Sequence, residues 1–307
     1  MFLDTSINMA MQPFKMMVGD MVNEKQKGLA YSIQSFLCNA GSLVGFLFPF
    51  IFTWIGISNI APQGVVPDSV IYSFYIGAAI LILCVIYTTV KVKEMPPAEY
   101  AEYHGITEEE KKEKINMVKL LVKAPKAFWT VGLVQFFCWF AFMFMWTYTN
   151  GSVAANVFDA PTIETVVNGA NKVVLDTKSI QYQNAADWVG VLFAVQAIGS
   201  VLWAVCIPMF KNRKLIYSLS LVLGGIGFIS TYFVHNQYVL FISFLLIGCA
   251  WAAMLALPFT ILTNALSGGH MGTYLGLFNG TICIPQIVAA TLGGSILALF
   301  TPKGMLP

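Results

Sequence analysis

Charge is what this sequence has least of: Asp, Glu, Lys and Arg make up 10% of its 307 residues. A soluble domain carries about 25%, so an ordinary water-facing surface is excluded. The net charge of +2 is too small to draw the chain to a polyanion, and nucleic acid is not an expected partner. Histidine is scarce as well. His104, His235 and His270 all fall between the apolar runs. A haem or metal site inside those runs would have no imidazole ligand, so neither a metal nor any other cofactor is expected. The six cysteines, Cys38, Cys84, Cys138, Cys206, Cys249 and Cys283, each stand alone in a different run. With no Cys-x-x-Cys pair they indicate neither a disulfide framework nor a zinc site, and they read as small apolar filler. A His-Glu-x-x-His pattern and paired carboxylates within an apolar run are also absent, which argues against an integral-membrane enzyme.

What the chain does have is apolar length. Apolar residues make up 57% of it, and mean hydropathy is +0.72. A membrane-crossing helix needs about 20 such residues. Seven runs qualify without an Asp, Glu, Lys or Arg: 28–54, 70–90, 127–150, 188–210, 215–234, 238–264 and 271–301. An eighth, 1–22, holds Asp4, Lys15 and Asp20 and suits a helix sheltered from lipid. The expectation is an all-α, multi-pass membrane protein with the lipid bilayer as its constant partner.

Basic residues orient it. Lys25, Lys27, eight lysines over 91–126, and Lys211, Arg213 and Lys214 occupy alternate connections, thirteen against the three of the other set, Lys172, Lys178 and Lys303. The loop around His270 breaks the pattern. The thirteen mark the cytoplasmic side, so the first run enters from outside. No signal peptide or earlier helix brings it across, and the last run ends outside, so helices are expected to be missing upstream and downstream.

The longest polar stretch, 94–126, opens on Pro96-Pro97. It carries a capping-box pattern at Thr107-Glu108-Glu109-Glu110, followed by Met117, Leu120 and Leu121 beside Lys119, Lys123 and Lys126. That pattern suits a helix lying on anionic lipid, or else a solvated linker between two helix bundles. The outer loop 151–186 is mixed, with a small hairpin expected over 171–183.

The first run carries the sharpest signal. At about 100° per residue, Asp4, Asn8 and Lys15 share one helix face, while Asp20 points elsewhere. Asp4 is the only carboxylate deep inside a run. A carboxylate in a low-dielectric cavity has its pKa raised towards neutrality. It could then take up and release a proton as the cavity opens to either side, which makes Asp4 the candidate coupling residue. The competing reading is a buried ion pair. For Lys15 the competing reading is the stronger one, a side chain snorkelling to the headgroups. Gln34, Asn39, Gln135, Asn150, Gln196, Asn279 and Gln286 are uncharged amides scattered over several runs. Together they suit a hydroxyl-rich ligand; singly, each is as readily an interhelical hydrogen bond. Trp139 follows Gln135 by four residues on the same face, and an aromatic beside an amide can hold a sugar ring. Asn8 and Lys15 join these as candidate substrate contacts.

Three stretches carry a resemblance. Leu3-Asp4, Asn8, Pro13-Phe14-Lys15 and Asp20, with Lys27-Gly28-Leu29-Ala30 and Asn39-Ala40-Gly41, resemble the fourth and fifth helices of the sucrose and maltose proton symporters within the major facilitator superfamily. Gly248-Cys249-Ala250-Trp251 and Leu257-Pro258-Phe259 resemble the tenth helix. Met271-Gly272, Gly276-Leu277-Phe278-Asn279 and Pro285-Gln286 resemble the eleventh. The resemblance implies a helical bundle holding about eight of twelve spans, the fourth to the eleventh. Residues 1–92 would end the first six-helix bundle, 93–126 would be a cytoplasmic linker, and 127–307 would form the second bundle without its last helix. It further implies alternating-access sugar:proton symport across the cytoplasmic membrane, with Asp4 in the coupling role. Lys15 stands where relatives often have Arg, and Thr147-Tyr148-Thr149 replaces acids found in many plant and animal members. A sodium-coupled glycoside or hexuronide symporter, or a truncated chain that does not transport, are the alternatives.

Overall fold

A computed structural model of the chain describes residues 13–57, 66, 68–93, 96, 98–99, 102, 117–167, 170–266, 271–300 and 305–306. Among the described residues, six helical stretches are long and apolar enough to cross a membrane, the last of them Gly272–Ile296. Helical residues 13–21 form α1. They are followed by α2 (Glu24–Trp54), α3 (Asp68–Lys91), the short α4 (Met117–Val122) and α5 (Lys126–Asn156). Next come strands β1 (Thr162–Val167) and β2 (Ala170–Leu175), then α6 (Ile180–Cys206), a 3₁₀ turn Ile207–Met209, α7 (Arg213–Phe233) and α8 (Leu240–Ala265). The chain closes with α9 (Met271–Phe278), α10 (Gly280–Phe300) and β3 (Met305–Leu306). At 31 residues, α2 exceeds a bilayer core with a turn or more to spare at about 1.5 Å per residue.

Helices start where the sequence supplies a cap. Asn212 Oδ1 accepts from the Lys214 and Leu215 N–H groups, both at 3.1 Å, and opens α7. Ser179 Oγ accepts from Tyr182 N–H at 3.2 Å and opens α6. Both satisfy donors that a helix start leaves unmade. Asn236 Oδ1 accepts from Tyr238 N–H at 2.9 Å in the turn before α8.

The expected helical membrane bundle stands, with one small sheet beside it: β1 pairs with β2 antiparallel over Thr162–Leu175, and β3 joins β2 in parallel. The hairpin therefore precedes the expected 171–183, because β-branched residues on either side of Asn168 and Gly169 carry the strand signal. Helix α6 begins at Ile180, eight residues before the apolar run. Its polar first turns stand clear of the hydrocarbon, and the Ser179 cap fixes its start. The run 271–301 stays a single candidate span, Gly272–Ile296, with a one-residue irregularity at Asn279 between α9 and α10. Asn279 N–H bonds the Leu275 carbonyl at 3.1 Å and shares it with that of Gly276 at 3.2 Å. Pro285, inside α10, has no N–H to return to Thr281.

Helix α8 is the centre. The largest share of any candidate span buried inside the protein is its own, 61%. Both neighbours approach it through small residues. A β-carbon on Gly199 of α6 would stand 2.6 Å from the Leu245 carbonyl oxygen, and one on Gly227 of α7 would stand 2.7 Å from that of Ser243. From the α8 side, Gly248 lies against the Gln196 carbonyl, and Ala250 lies against Gly224. Hydroxyls then join the backbones. Ser200 donates to the Gly248 carbonyl at 2.7 Å, and Ser230 donates to Ser243 Oγ at 2.7 Å. In lipid there is no hydrophobic gain from joining two apolar helices, so close backbone approach and such bonds do the joining. Helix α3 is the opposite case. It packs on α2 alone among the main contacts and exposes Phe74, Tyr75 and Leu83, as a helix apolar all round does in hydrocarbon.

The ends sort as the lysines require. Gly28 lies against the Arg213 guanidinium, which puts the starts of α2 and α7 together. Tyr274 donates to the Leu120 carbonyl at 3.2 Å, bringing the start of α9 to α4. The β2–β3 pairing sets the last residues beside the outer hairpin.

Replacing Gly248 with Val should separate α6 from α8, lower thermal stability in detergent and cost about 1 to 3 kcal/mol as overpacking. Gly225→Ala, with nothing within 4 Å of the added carbon, should leave the melting temperature unchanged. Thermal melts of the two variants check both.

Candidate functional site

The lone cation of the first run does not snorkel. Lys15 is 7% exposed, and its Nζ lies 4.3 Å from the centroid of the Phe259 ring on α8. That atom is buried without a hydrogen-bond partner among the described residues, within electrostatic reach of the Cys38 and Cys283 thiols on α2 and α10. The expected escape to the headgroups fails because the residue faces the packed interior. Tyr31, fully buried on α2, donates to the Lys15 carbonyl at 3.3 Å and sets its own ring 6.0 Å from Phe259. Phe259 in turn meets Phe278 edge-on at 5.8 Å. The next residue of α1, Met16, fills the space that a side chain at Gly272 would need.

These contacts form a seam between α1–α2 and α6–α10. It continues along α2. Ser35 donates to the Ala252 carbonyl at 3.1 Å, and Phe46 stacks on Phe193 at 6.0 Å. Asn39 donates to the Ser35 carbonyl at 2.7 Å, which leaves its Oδ1 buried and unpartnered, as is Gln34 Nε2. Buried polar atoms without partners cost free energy, so Lys15, Gln34 and Asn39 give α1 and α2 three groups ready to bond a polar ligand. Asn279 sits at the α9–α10 junction, with its amide 3.6 Å from Cys283 Sγ, and Gln286 is half-buried on α10.

The remaining candidates serve the interior of the bundle. Pro258 inside α8 cannot donate to the carbonyl four residues back, that of Met254. Gln135 Nε2 lies 3.4 Å from that carbonyl, and its Oε1 accepts from Tyr217 at 3.3 Å. The amide thus ties α5, α7 and α8 together where a proline opens the ladder. Trp139 is 7% exposed and meets Trp251 at 5.5 Å and Trp146 at 6.2 Å, both edge-on. The Trp139 ring is packed among other rings, while its Nε1 is buried with no hydrogen-bond partner among the described residues. Gln196 is buried at the α6–α8 crossing, and Asn150 donates to Tyr182 at 3.1 Å. A cavity of about 660 Å³ between α5, α7 and α8 is lined by Tyr148, Thr149, Ser152, Thr231 and His235 among others, and holds none of the candidates. Asp4 and Asn8 lie outside the described residues. Sequence reasoning missed Tyr31, Ser35 and Phe259 as site residues. Phe259 was visible only within the Leu257-Pro258-Phe259 likeness, and nothing in an apolar run marks which ring will receive a lysine.

A polytopic bundle whose polar groups gather on a seam between two sets of helices has the build of a transporter. A family model described as Major Facilitator Superfamily matches residues 7–170, 164 of the 307 residues. The chain belongs to that superfamily, a group of secondary transporters, and is a multi-pass membrane protein. No curated protein matches it.

The Gln135–Pro258 relation makes a paired prediction. Gln135→Leu should destabilise by about 1 to 3 kcal/mol, because it strands the Met254 carbonyl and the Tyr217 hydroxyl. Pro258→Ala should restore a backbone donor to Met254 and recover part of that loss in the double variant. Additive melting shifts would contradict the relation.

Proposed function

We propose that this transporter carries a sugar together with a proton, by alternating access across the cytoplasmic membrane. In this reading its helices correspond to the fourth to eleventh of a twelve-helix protein. Residues 1–92 belong to one bundle, 127–307 to the other, and 93–126 link them. Substrate is held on the seam, with Lys15, Gln34, Asn39 and Asn279 as its first contacts, and Asp4 takes the proton. The observation that carries this is Lys15. Its side chain is turned to Phe259 and the interior, and the periodicity of the sequence groups Asp4 and Asn8 with it. The sugar itself rests on the likeness of these stretches to sucrose and maltose symporters.

One feature favours a second reading. A buried ammonium with no counter-ion among the described residues is suited to a ligand that brings a carboxylate, which points to a hexuronide in place of a neutral disaccharide, with sodium as the alternative coupling ion.

A proteoliposome panel separates these. With the complete protein, an inward pH gradient should drive uphill uptake of maltose or sucrose. Asp4→Asn should abolish accumulation while leaving exchange of labelled for unlabelled sugar. Accumulation by Asp4→Asn equal to the parent's would overturn the coupling role. Hexuronide uptake that needs sodium and is lost in Lys15→Met would establish the second reading.

A further inference from the structure

Helix α4 splits its apolar surface in two. Leu121 turns to the protein, and Leu120 is half-buried. Leu121 packs on the core, and the Leu120 carbonyl accepts from Tyr274 of α9 at 3.2 Å. Val118 and Val122, one turn apart, remain 70% and 80% exposed on a face about 130° round the helix from the leucines. Lys119 and Lys123, joined by the backbone bond Lys123 N–H to Lys119 carbonyl at 3.1 Å, occupy the next arc. Only residues 123–125 separate α4 from α5, a helix long and apolar enough to cross the membrane. That spacing holds α4 at headgroup depth, and the eight lysines of 91–126 mark the side as cytoplasmic. A two-residue valine face bordered by a lysine pair, at that depth, matches one occupant. Acyl chains meet the valines, and anionic headgroups meet the lysines.

We infer that α4 is an interfacial anchor that seats on anionic lipid of the cytoplasmic leaflet, and that the Tyr274–Leu120 bond passes this contact to α9. The apolar valines alone would accept any bilayer. The adjacent lysines make the seat depend on headgroup charge, and the effect is screened by salt. The inference does not depend on which substrate the protein carries.

The test uses the full chain in vesicles of phosphatidylcholine, alone or mixed with phosphatidylglycerol. Cys38 and Cys84, the two exposed cysteines, are replaced by Ser, and a fluorophore is placed at Val122→Cys. In the mixed vesicles, quenching by brominated acyl chains should rise several-fold and quenching by iodide should fall. Lys119→Gln with Lys123→Gln, or high salt, should reverse both changes. A label equally open to iodide in the two vesicle types overturns the anchor. A label equally buried in both overturns its preference for anionic lipid. Hydrogen exchange over residues 271–278 reads the transmission. Protection should rise several-fold with phosphatidylglycerol in the parent and not in Tyr274→Phe. Equal protection of the parent in both vesicle types contradicts the coupling to α9.

Discussion

The close approach of three backbones at α8 is the constraint on which the other contacts rest. Gly248 and Ala250 let α6 and α7 come within contact distance, and the hydroxyls of Ser200 and Ser243 then bridge the gap. Side chains of ordinary size at these positions would hold the helices apart, and hydrocarbon would supply no force to draw them back. With α8 fixed in this way, two of its features face outward to other partners. The Met254 carbonyl, freed by Pro258, meets Gln135 of α5, and the Phe259 ring meets Lys15 of α1. A single turn of α8 therefore both fastens its own bundle and presents a surface to the seam.

The seam differs in kind from that crossing. Helix α2 packs along both α6 and α8, but through side chains: one hydroxyl on a carbonyl, one ammonium over a ring, ring against ring. Several polar atoms along it lack partners among the described residues. An interface that must part and re-form is better built from such contacts than from interlocked backbones, since few bonds are then lost at each parting. The α6–α8 and α7–α8 crossings, by contrast, have the closeness expected of a body that moves as one. The division between firm crossings and a loose seam is what alternating access requires of the proposed two bundles.

Much of the fold was legible because hydrocarbon leaves few options. Apolar length gave the spans, and lysine placement gave the sidedness that the Gly28–Arg213 and Tyr274–Leu120 contacts repeat. Lost from view were features set by local chemistry rather than length. The hairpin depended on β-branched residues around Asn168 and Gly169. The irregularity at Asn279 left no mark in the apolar length of its run. Site residues were harder. Periodicity placed Lys15 on a polar face, but a helical wheel does not say whether that face meets headgroups or a phenyl ring. Gln135 looked like a ligand contact because an amide in an apolar run asks for a partner. That its partner is a carbonyl opened by a proline on another helix, 119 residues away, is a tertiary fact.

The central claim is that the seam opens and closes while the α8 crossings stay shut. Cysteines at Ser35 and Ala252, whose native groups are bonded at 3.1 Å, can be joined by a short reducible cross-linker in the complete protein in proteoliposomes, with every native cysteine replaced by Ser. Cross-linking should stop substrate uptake, and reduction should restore it. Uptake at the parent's rate with the link intact would show that the seam does not move, and would contradict the account.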